Sequence, residues 1–347
     1  MFVFDEPTSA MHGPEVDLLV GRIDTLRQRG CGVVYITHKM DEMFRLADSI
    51  TVLRDGRVIG TAAARELAPE KLVEWMVGRN LTPAAAGRAA PQGPPLLEVR
   101  NFRLPHALPD RAPAVDVSFN LHSGEILGIA GLRGSGADEL LHGLFDTTGT
   151  AIQGDVVLAG KPLPRRTPQI SIVRGVVLLT NDRKAMGLAP HLSVSHSVSL
   201  ASLSRFSTRF GWMRRDLEAD AVGDLMQRFR LNAPSPDAAV GVLSGGNQQK
   251  TYLGRCLLAR PRVLLLNEPT RGIDVAAKAE IHALMRDWAN EGIAVVMVTT
   301  DLEELFALSD RILVMHAGRI AAECTPGAST RDDVLAAAMG GSAAATA

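Results

Sequence analysis

Short apolar runs alternate with amphipathic stretches along most of the chain. From the start, FVF predicts a strand over 2–4, followed by a helix at about 15–29, a strand over 33–37, a helix at about 40–47 and two short strands ending near Ile59. That alternation predicts an α/β layer with a mostly parallel sheet. Residues 80–95 are rich in Pro, Ala and Gly without hydrophobic periodicity, which predicts an interdomain linker. Beyond it, LLEVRNF and VDVSFNL predict strands, EILGIA a buried strand and DELLHGLF a helix, with strand–helix alternation resuming after about residue 243. Between them, residues 191–243 form a helical insertion in which Val222, Leu225, Met226 and Phe229 fall at i, i+3, i+4 and i+7. The expected organisation is a first domain over 1–79, a linker over 80–95, a second domain over 96–340 and a disordered tail over 341–347.

The two domains share a pattern. Phe2-Val3-Phe4-Asp5-Glu6-Pro7-Thr8 recurs as Leu264-Leu265-Leu266-Asn267-Glu268-Pro269-Thr270, an offset of 262 positions from Asp5 to Asn267. The offset persists without a gap through Gly30/Gly292, Thr37/Thr299, Asp48/Asp310 and Gly56-Arg57/Gly318-Arg319. A repeat this long is a duplicated supersecondary unit. Because Met1 directly precedes a buried-type strand, the expectation is that the chain opens inside the first copy. That copy is then partial and N-terminally truncated, the second complete, and residues 1–79 expose an apolar edge.

Composition narrows the function. A length of 347 residues suits about two domains, and 46% hydrophobic residues suffice for two cores. A formal net charge of −1, with no dominant basic block, argues against nucleic acid as a partner. Cys31, Cys256 and Cys324 lack metal-ligand spacing and are expected to be small buried hydrophobes. No apolar run approaches the roughly 18 residues of a membrane helix, so the expected location is cytosolic or peripheral to a membrane.

Candidate chemistry lies at the strand ends. Asp5-Glu6 follows an apolar strand, placing two carboxylates at the carboxyl edge of a sheet, where open α/β sheets bind ligands. The first suits Mg²⁺, and the second suits orienting or deprotonating a water in phosphoryl transfer. His38 ends the next strand and is placed to reach a γ-phosphate if the two strands are neighbours. Ser244-Gly245-Gly246-Asn247-Gln248 precedes a helix-like segment, and such a start exposes backbone N–H groups to phosphate.

LSGGNQQK about 20 residues ahead of NEPTRGID, the NDRK stretch from Asn181, and the internal duplication together resemble the ATP-binding cassette (ABC) ATPases. Specifically, they resemble the tandem-module subunit of bacterial sugar importers of the ribose, galactose and xylose type. The resemblance implies P-loop NTPase-like ABC modules, one partial and one complete with a helical subdomain. It makes Ser244, Gly245, Gly246, Asn247 and Gln248 the signature motif, Asp5 the metal-binding and Glu6 the catalytic carboxylate, His38 the switch histidine, and Ser9-Ala10 the start of a D-loop. It implies ATP and Mg²⁺ as cofactors and integral membrane permease subunits as partners. A periplasmic sugar-binding protein is an indirect partner, and a second ABC module or copy completes each ATP site. The location implied is the cytoplasmic face of the bacterial inner membrane.

The second copy departs from the family pattern. Gly131, Gly134, Ser135, Gly136, Ala137 and Asp138 stand where GxxxxGK[ST] is expected, so lysine and hydroxyl are both missing. Loss of a charge-assisted phosphate contact forfeits about 1.5–3 kcal/mol. Asn267 replaces the Walker B aspartate, Thr300 replaces the switch histidine, and Glu268 is retained. Asn181 lies in the Q-loop region, where the family usually carries an acid. These departures leave open a second reading, a truncated fragment or adaptor that does not hydrolyse ATP alone. A cassette ATPase of translation or DNA repair is disfavoured by PTRGID, NQQK and the lack of basic extensions.

Overall fold

In the computed structural model, residues 1–8, 13–37, 39–54, 56–77, 93–104, 114–147, 152–163 and 167–341 are described. His38, Ser9-Ala10, most of the expected linker and the tail beyond residue 341 lie outside them. The chain divides into two compact units, Met1–Thr82 with Asp274–Ala279, and Pro83–Ile273 with Glu280–Ala347.

The first unit runs β1 (Phe2–Asp5), α1 (Gly13–Gln28), β2 (Val33–Ile36), α2 (Met40–Leu46), β3 (Ser49–Arg54), β4 (Arg57–Ala63) and α3 (Pro69–Val77). β1 and β2 pair in parallel, and β3 and β4 pair antiparallel as a separate two-stranded sheet. β4 continues past Ile59 because its ladder with β3 runs on through Thr51↔Thr61 to Ser49↔Ala63. The expected stop there is corrected: Gly60 and Thr61 break the apolar pattern but not the pairing. Two small cores result. Val20, Ile23 and Leu46 pack with Phe4 and Tyr35, while Ile50, Val52, Leu67 and Leu72 pack with Trp75 and Met76. α3 was not anticipated, although Leu72, Trp75 and Met76 carry the i, i+3, i+4 signal.

The second unit opens with an antiparallel sheet of β5 (Leu97–Leu104), β6 (Ala114–Leu121), β8 (Gln153–Leu158) and β9 (Lys161–Pro162). Its main sheet contains β7 (Ile126–Gly131), β10 (Val176–Leu179), β11 (Val263–Asn267), β12 (Ala294–Val298), β13 (Arg311–His316) and β14 (Arg319–Cys324), in the order β10-β11-β12-β7-β13-β14. All pairs are parallel except β13 with β14. β11 and β12 are buried along their whole length, as continuous apolar runs in a sheet covered on both faces should be. α4 (Ala137–Phe145) sets Leu140, Leu141 and Leu144 into the core shared by both sheets.

The expected helical insertion holds α6 (Val194–Ser199) and α7 (Arg215–Arg228), with α5 (Pro168–Arg174) ahead of it. α6 and α7 pack on α8 (Gly245–Leu258), with Val222, Leu225 and Phe229 buried. α9 (Val275–Asn290), α10 (Leu302–Leu308) and α11 (Arg331–Ala338) follow. The repeat is structural as well as sequential. α1, α2 and β3 shifted by 262 positions reproduce the bounds of α9, α10 and β13, and even the bulge at Val52/Leu53 recurs at Val314/Met315. Among the described residues, no helix is long and apolar enough to cross a membrane. Cys256 and Cys324 are buried as expected; Cys31 is only half-buried, at the turn between α1 and β2.

Candidate functional site

In the second unit, each parallel strand delivers its candidate residues to one edge of the sheet. β7 runs into the turn 131–136, whose sharpness depends on glycine: a Cβ at Gly131 would sit 2.2 Å from Ser135 Oγ, and Gly134 and Gly136 have φ of 83° and 95°. Ser135 is buried and anchors the turn, donating its N–H to the Leu132 carbonyl at 2.8 Å and accepting from Gly318 N–H at 2.8 Å. α4 then starts at Gly136 without a side-chain cap. Ala137 is buried where the motif calls for lysine. Asp138, where a hydroxyl is expected, accepts a long 3.5 Å hydrogen bond from Asn181 Nδ2.

At the end of β11, Asn267 is fully buried, and neither of its amide atoms finds a hydrogen-bond partner among the described residues. Glu268 follows in left-handed backbone, φ 50°. Its carboxylate accepts the Thr300 backbone N–H at 2.9 Å, and Thr299 Oγ1 lies 3.5 Å from its other oxygen. Burial pushes the Glu268 pKa up, opposed by the Thr300 bonds and reinforced by the neighbouring Glu304 charge.

Behind this edge lies a network with no forewarning in the motifs. Glu304, 1% exposed, accepts from Thr270 Oγ1 and Thr299 Oγ1, both at 2.8 Å, and its Oε1 lies 2.9 Å from His282 Nε2. In the first unit Glu42 does the same work. It accepts from Thr8 Oγ1 at 2.6 Å, Tyr35 Oη at 2.8 Å and Thr37 Oγ1 at 3.2 Å, and pairs with the Lys39 ammonium at 3.2 Å. The repeat itself was the available signal, since Glu42 and Glu304 share its offset. Asp5 and Glu6 stand exposed at the end of β1, with Glu6 at φ 42°, matching Glu268.

The signature residues open α8. Ser244 is its N-cap, accepting from Asn247 Nδ2 at 2.9 Å, and Asn247 Oδ1 accepts the Asn232 N–H at 2.9 Å. Gln248 Nε2 donates to the Leu243 carbonyl at 3.0 Å. Gly245 and Gly246 form the first turn, and a side chain at Gly245 would meet Arg183 Nη2 at 3.0 Å. Two residues outside the expected set connect this helix to the strand end. Gln249 Nε2 donates to the Pro269 carbonyl at 2.6 Å, and Arg183 spans the carbonyls of Arg271 and Gly272 at 3.0 and 3.1 Å.

The turn at 131–136 thus keeps its glycine-dependent backbone, with Ala137 at the position where the motif calls for lysine. A neutral Asn267 and an Asp138 engaged by Asn181 do not fit a resident divalent metal. In the first unit the Asp5 and Glu6 carboxylates have suitable hard-oxygen chemistry. Among the described residues, no group of three or more His, Cys, Asp or Glu is placed to hold a metal.

Residues 114–271 match the family model described as ABC transporter. A dimeric ATP-binding cassette solved in a post-hydrolysis state with ADP and Pi aligns over 67% of this chain and 100% of its own, with TM-score 0.58 and 20% identity. The cbiO1 cassette of Clostridium perfringens aligns over 67% of this chain and 89% of its own, with TM-score 0.56 and 22% identity.

The chain has the ABC ATPase fold.

Among curated proteins, the chain is 42% identical over 98% of its length to a putative ribose/galactose/methyl galactoside import ATP-binding protein of Pseudomonas fluorescens, covering 64% of that relative. It is 43% identical over 97% of its length to ribose import ATP-binding protein RbsA 2 of Rubrobacter xylanophilus, covering 64%. It is 37% identical over 98% of its length to xylose import ATP-binding protein XylG of Escherichia coli, covering 66%. The chain thus spans just under two thirds of the length of the relatives it matches.

Proposed function

We propose that this chain forms part of the ATP-binding subunit of a carbohydrate importer, in which nucleotide hydrolysis drives sugar uptake through integral membrane permease subunits. The observation that carries this reading is the likeness to sugar-import ATP-binding proteins, sustained at 42% identity over 98% of the chain. The duplicated strand-end geometry supports a tandem arrangement of two ABC modules. A periplasmic sugar-binding protein enters indirectly, through the permease, and the subunit sits peripherally on the cytoplasmic face of the inner membrane.

In this reading Asp5 holds Mg²⁺, Glu6 orients or deprotonates the attacking water, and His38 contacts the γ-phosphate. Bound Mg²⁺ supplies charge neutralisation on the phosphate oxygens. Ser244, Gly245 and Gly246, with Asn247 and Gln248 shaping the turn, close over nucleotide held by an opposing module. Arg183 and Gln249 keep that helix start fixed to the strand-end turn. The second unit holds phosphate through the backbone of 131–136 and does not hydrolyse ATP by itself, because Ala137 and Asp138 offer no cation and Asn267 no charge.

The test is reconstitution with the permease subunits and with a polypeptide that supplies the opposing, lysine-bearing phosphate loop. ATP turnover stimulated by the permease and abolished by Glu6→Gln, with Glu268→Gln retaining most of it, supports the assignment. Turnover insensitive to Glu6→Gln refutes it.

A further inference from the structure

Phe210 and Trp212 stand at the tip of a tight hairpin that joins the 3₁₀ helix Leu200–Arg205 to α7, and each is 77% exposed. By contrast, Phe206, Phe229 and Trp288 of the same unit are buried. The hairpin is built to hold its shape. Ser207 and Met213 bridge antiparallel, the Thr208 N–H donates to the Trp212 carbonyl at 2.8 Å, and the Trp212 N–H donates to Thr208 Oγ1 at 3.2 Å. The Arg214 N–H closes the base on the Phe206 carbonyl at 2.6 Å. Gly211 permits the turn, with φ of 84° and nothing within 4 Å of where a Cβ would stand. Below the tip, buried Phe206 and the Arg205 guanidinium, which donates to the Leu258 carbonyl at 2.5 Å, fasten the hairpin to the end of α8.

The charge around this tip is one-sided. Four arginines and no acid lie between residues 204 and 215, in a chain whose formal net charge is −1. Arg205 is committed to the body of the unit, its pKa pulled down by burial and then by the nearby Arg260 charge. Arg209 lies over the Phe210 ring, 5.1 Å from its centroid, and Arg209, Arg214 and Arg215 are all exposed. Of the acids that follow on α7, Glu218 is buried and accepts from Ser199 Oγ at 2.5 Å. Asp216 and, one turn farther on, Asp220 are the next exposed carboxylates, so the positive excess is concentrated at the hairpin.

We propose that this hairpin is a lipid-contact site, which sets Phe210 and Trp212 into the interface of an anionic bilayer and holds lipid phosphates with Arg209, Arg214 and Arg215. Aromatic rings with one polar edge settle at headgroup level, and arginine stems lie along apolar surface while their guanidinium groups reach phosphate. An anionic leaflet attracts such a cluster over about a Debye length. The tip is open around Gly211, and a fluid interface accepts it without complementary shape, whereas a protein partner would have to supply a fitted pocket. The contact is with lipid itself, needs neither nucleotide nor permease, and so goes beyond the importer reading.

The test is binding of the full 347-residue chain to vesicles in the absence of nucleotide. Phosphatidylcholine vesicles containing phosphatidylglycerol are compared with phosphatidylcholine alone by co-sedimentation, and brominated acyl chains report insertion by quenching tryptophan emission. Preferential binding to the anionic vesicles, weakened by salt, is expected, with quenching that disappears in Trp212→Leu although Trp75 and Trp288 remain. Each of Arg209→Gln, Arg214→Gln and Arg215→Gln should weaken binding about fivefold, and Phe210→Ser with Trp212→Ser about tenfold or more. All five side chains are exposed, and an unchanged thermal melt of each variant separates lost contact from lost folding. Absence of binding overturns the proposal, as does equal binding to neutral vesicles, quenching that survives Trp212→Leu, or binding indifferent to the arginine substitutions. Quenching that appears only when permease subunits share the vesicle also overturns it, because the tip then docks on protein. Such a failure leaves the importer reading standing, which Glu6→Gln tests separately.

Discussion

Glu42 and Glu304 occupy equivalent positions on α2 and α10, and each draws a threonine hydroxyl from the strand-end turn, Thr8 at 2.6 Å and Thr270 at 2.8 Å. Each also accepts from the threonine that closes the next strand, Thr37 and Thr299. A buried carboxylate so placed fixes two turns against each other, and those turns carry Glu6 and Glu268.

For Glu42, burial pushes the pKa up, but hydrogen bonds from Thr8 and Tyr35 and the Lys39 ammonium bring it below the usual value of 4.5. A folded pKa below the unfolded one contributes stability that is present above the unfolded value and lost as pH falls through the folded value. Glu42→Gln should therefore destabilise the first unit near neutral pH by about 1.5–3 kcal/mol. The gap between variant and parent should close as pH drops below 4.5. Hydrogen exchange over 33–54 across that pH range measures both.

Glu268 has the opposite sign. Burial raises its folded pKa above 4.5, so the folded state binds the proton more readily and stability declines as pH rises past that value. Glu268→Gln keeps an acceptor for the Thr300 N–H and removes the charge. At neutral pH it should melt roughly 2–4 °C higher than the parent, converging with it in acid. Thermal unfolding at both pH values decides this.

Asn267→Asp places a charge at a fully buried position with no hydrogen-bond partner among the described residues. Without metal, the variant should lose about 1–3 kcal/mol or more. Mg²⁺ with nucleotide should recover part of that loss in the variant and have a smaller effect on the parent. Denaturant titration with and without both ligands provides the comparison.

Arg183→Ala leaves the Arg271 and Gly272 carbonyls without their shared donor and should cost about 1–2 kcal/mol. Arg183→Lys should restore less than half of it, since a single ammonium does not reproduce a planar fork. Urea unfolding followed at Trp288, buried against Phe229 with ring centroids 5.8 Å apart, reports the change.

The parallel strands at 2–4 and 126–130 were legible because FVF and EILGIA are apolar runs bounded by polar turns, and the duplication repeats the first of them at 264–266. The places of Asp5 and Glu268 at strand ends and of Ser244 at a helix start were legible from the apolar runs, the repeat and the family resemblance. Gln249, Arg183 and His282 were not. Their partners are backbone carbonyls and a buried carboxylate 20 or more positions away, and no local pattern records such a pairing. The end of β4 was misread because a ladder partner, not side-chain polarity, decides where a strand stops. Asn267 was recognised as a substitution, but the orphaned state of its amide emerges only from packing.

The left-handed backbone at Glu6 and Glu268 sets a constraint on how this protein can change. A residue with a Cβ in that region gives up about 1–2 kcal/mol that glycine would not. Selection for heat resistance alone would thus drift toward glycine at these two positions and erase the carboxylates. Both copies nonetheless carry a glutamate in that backbone, with φ 42° at Glu6 and 50° at Glu268.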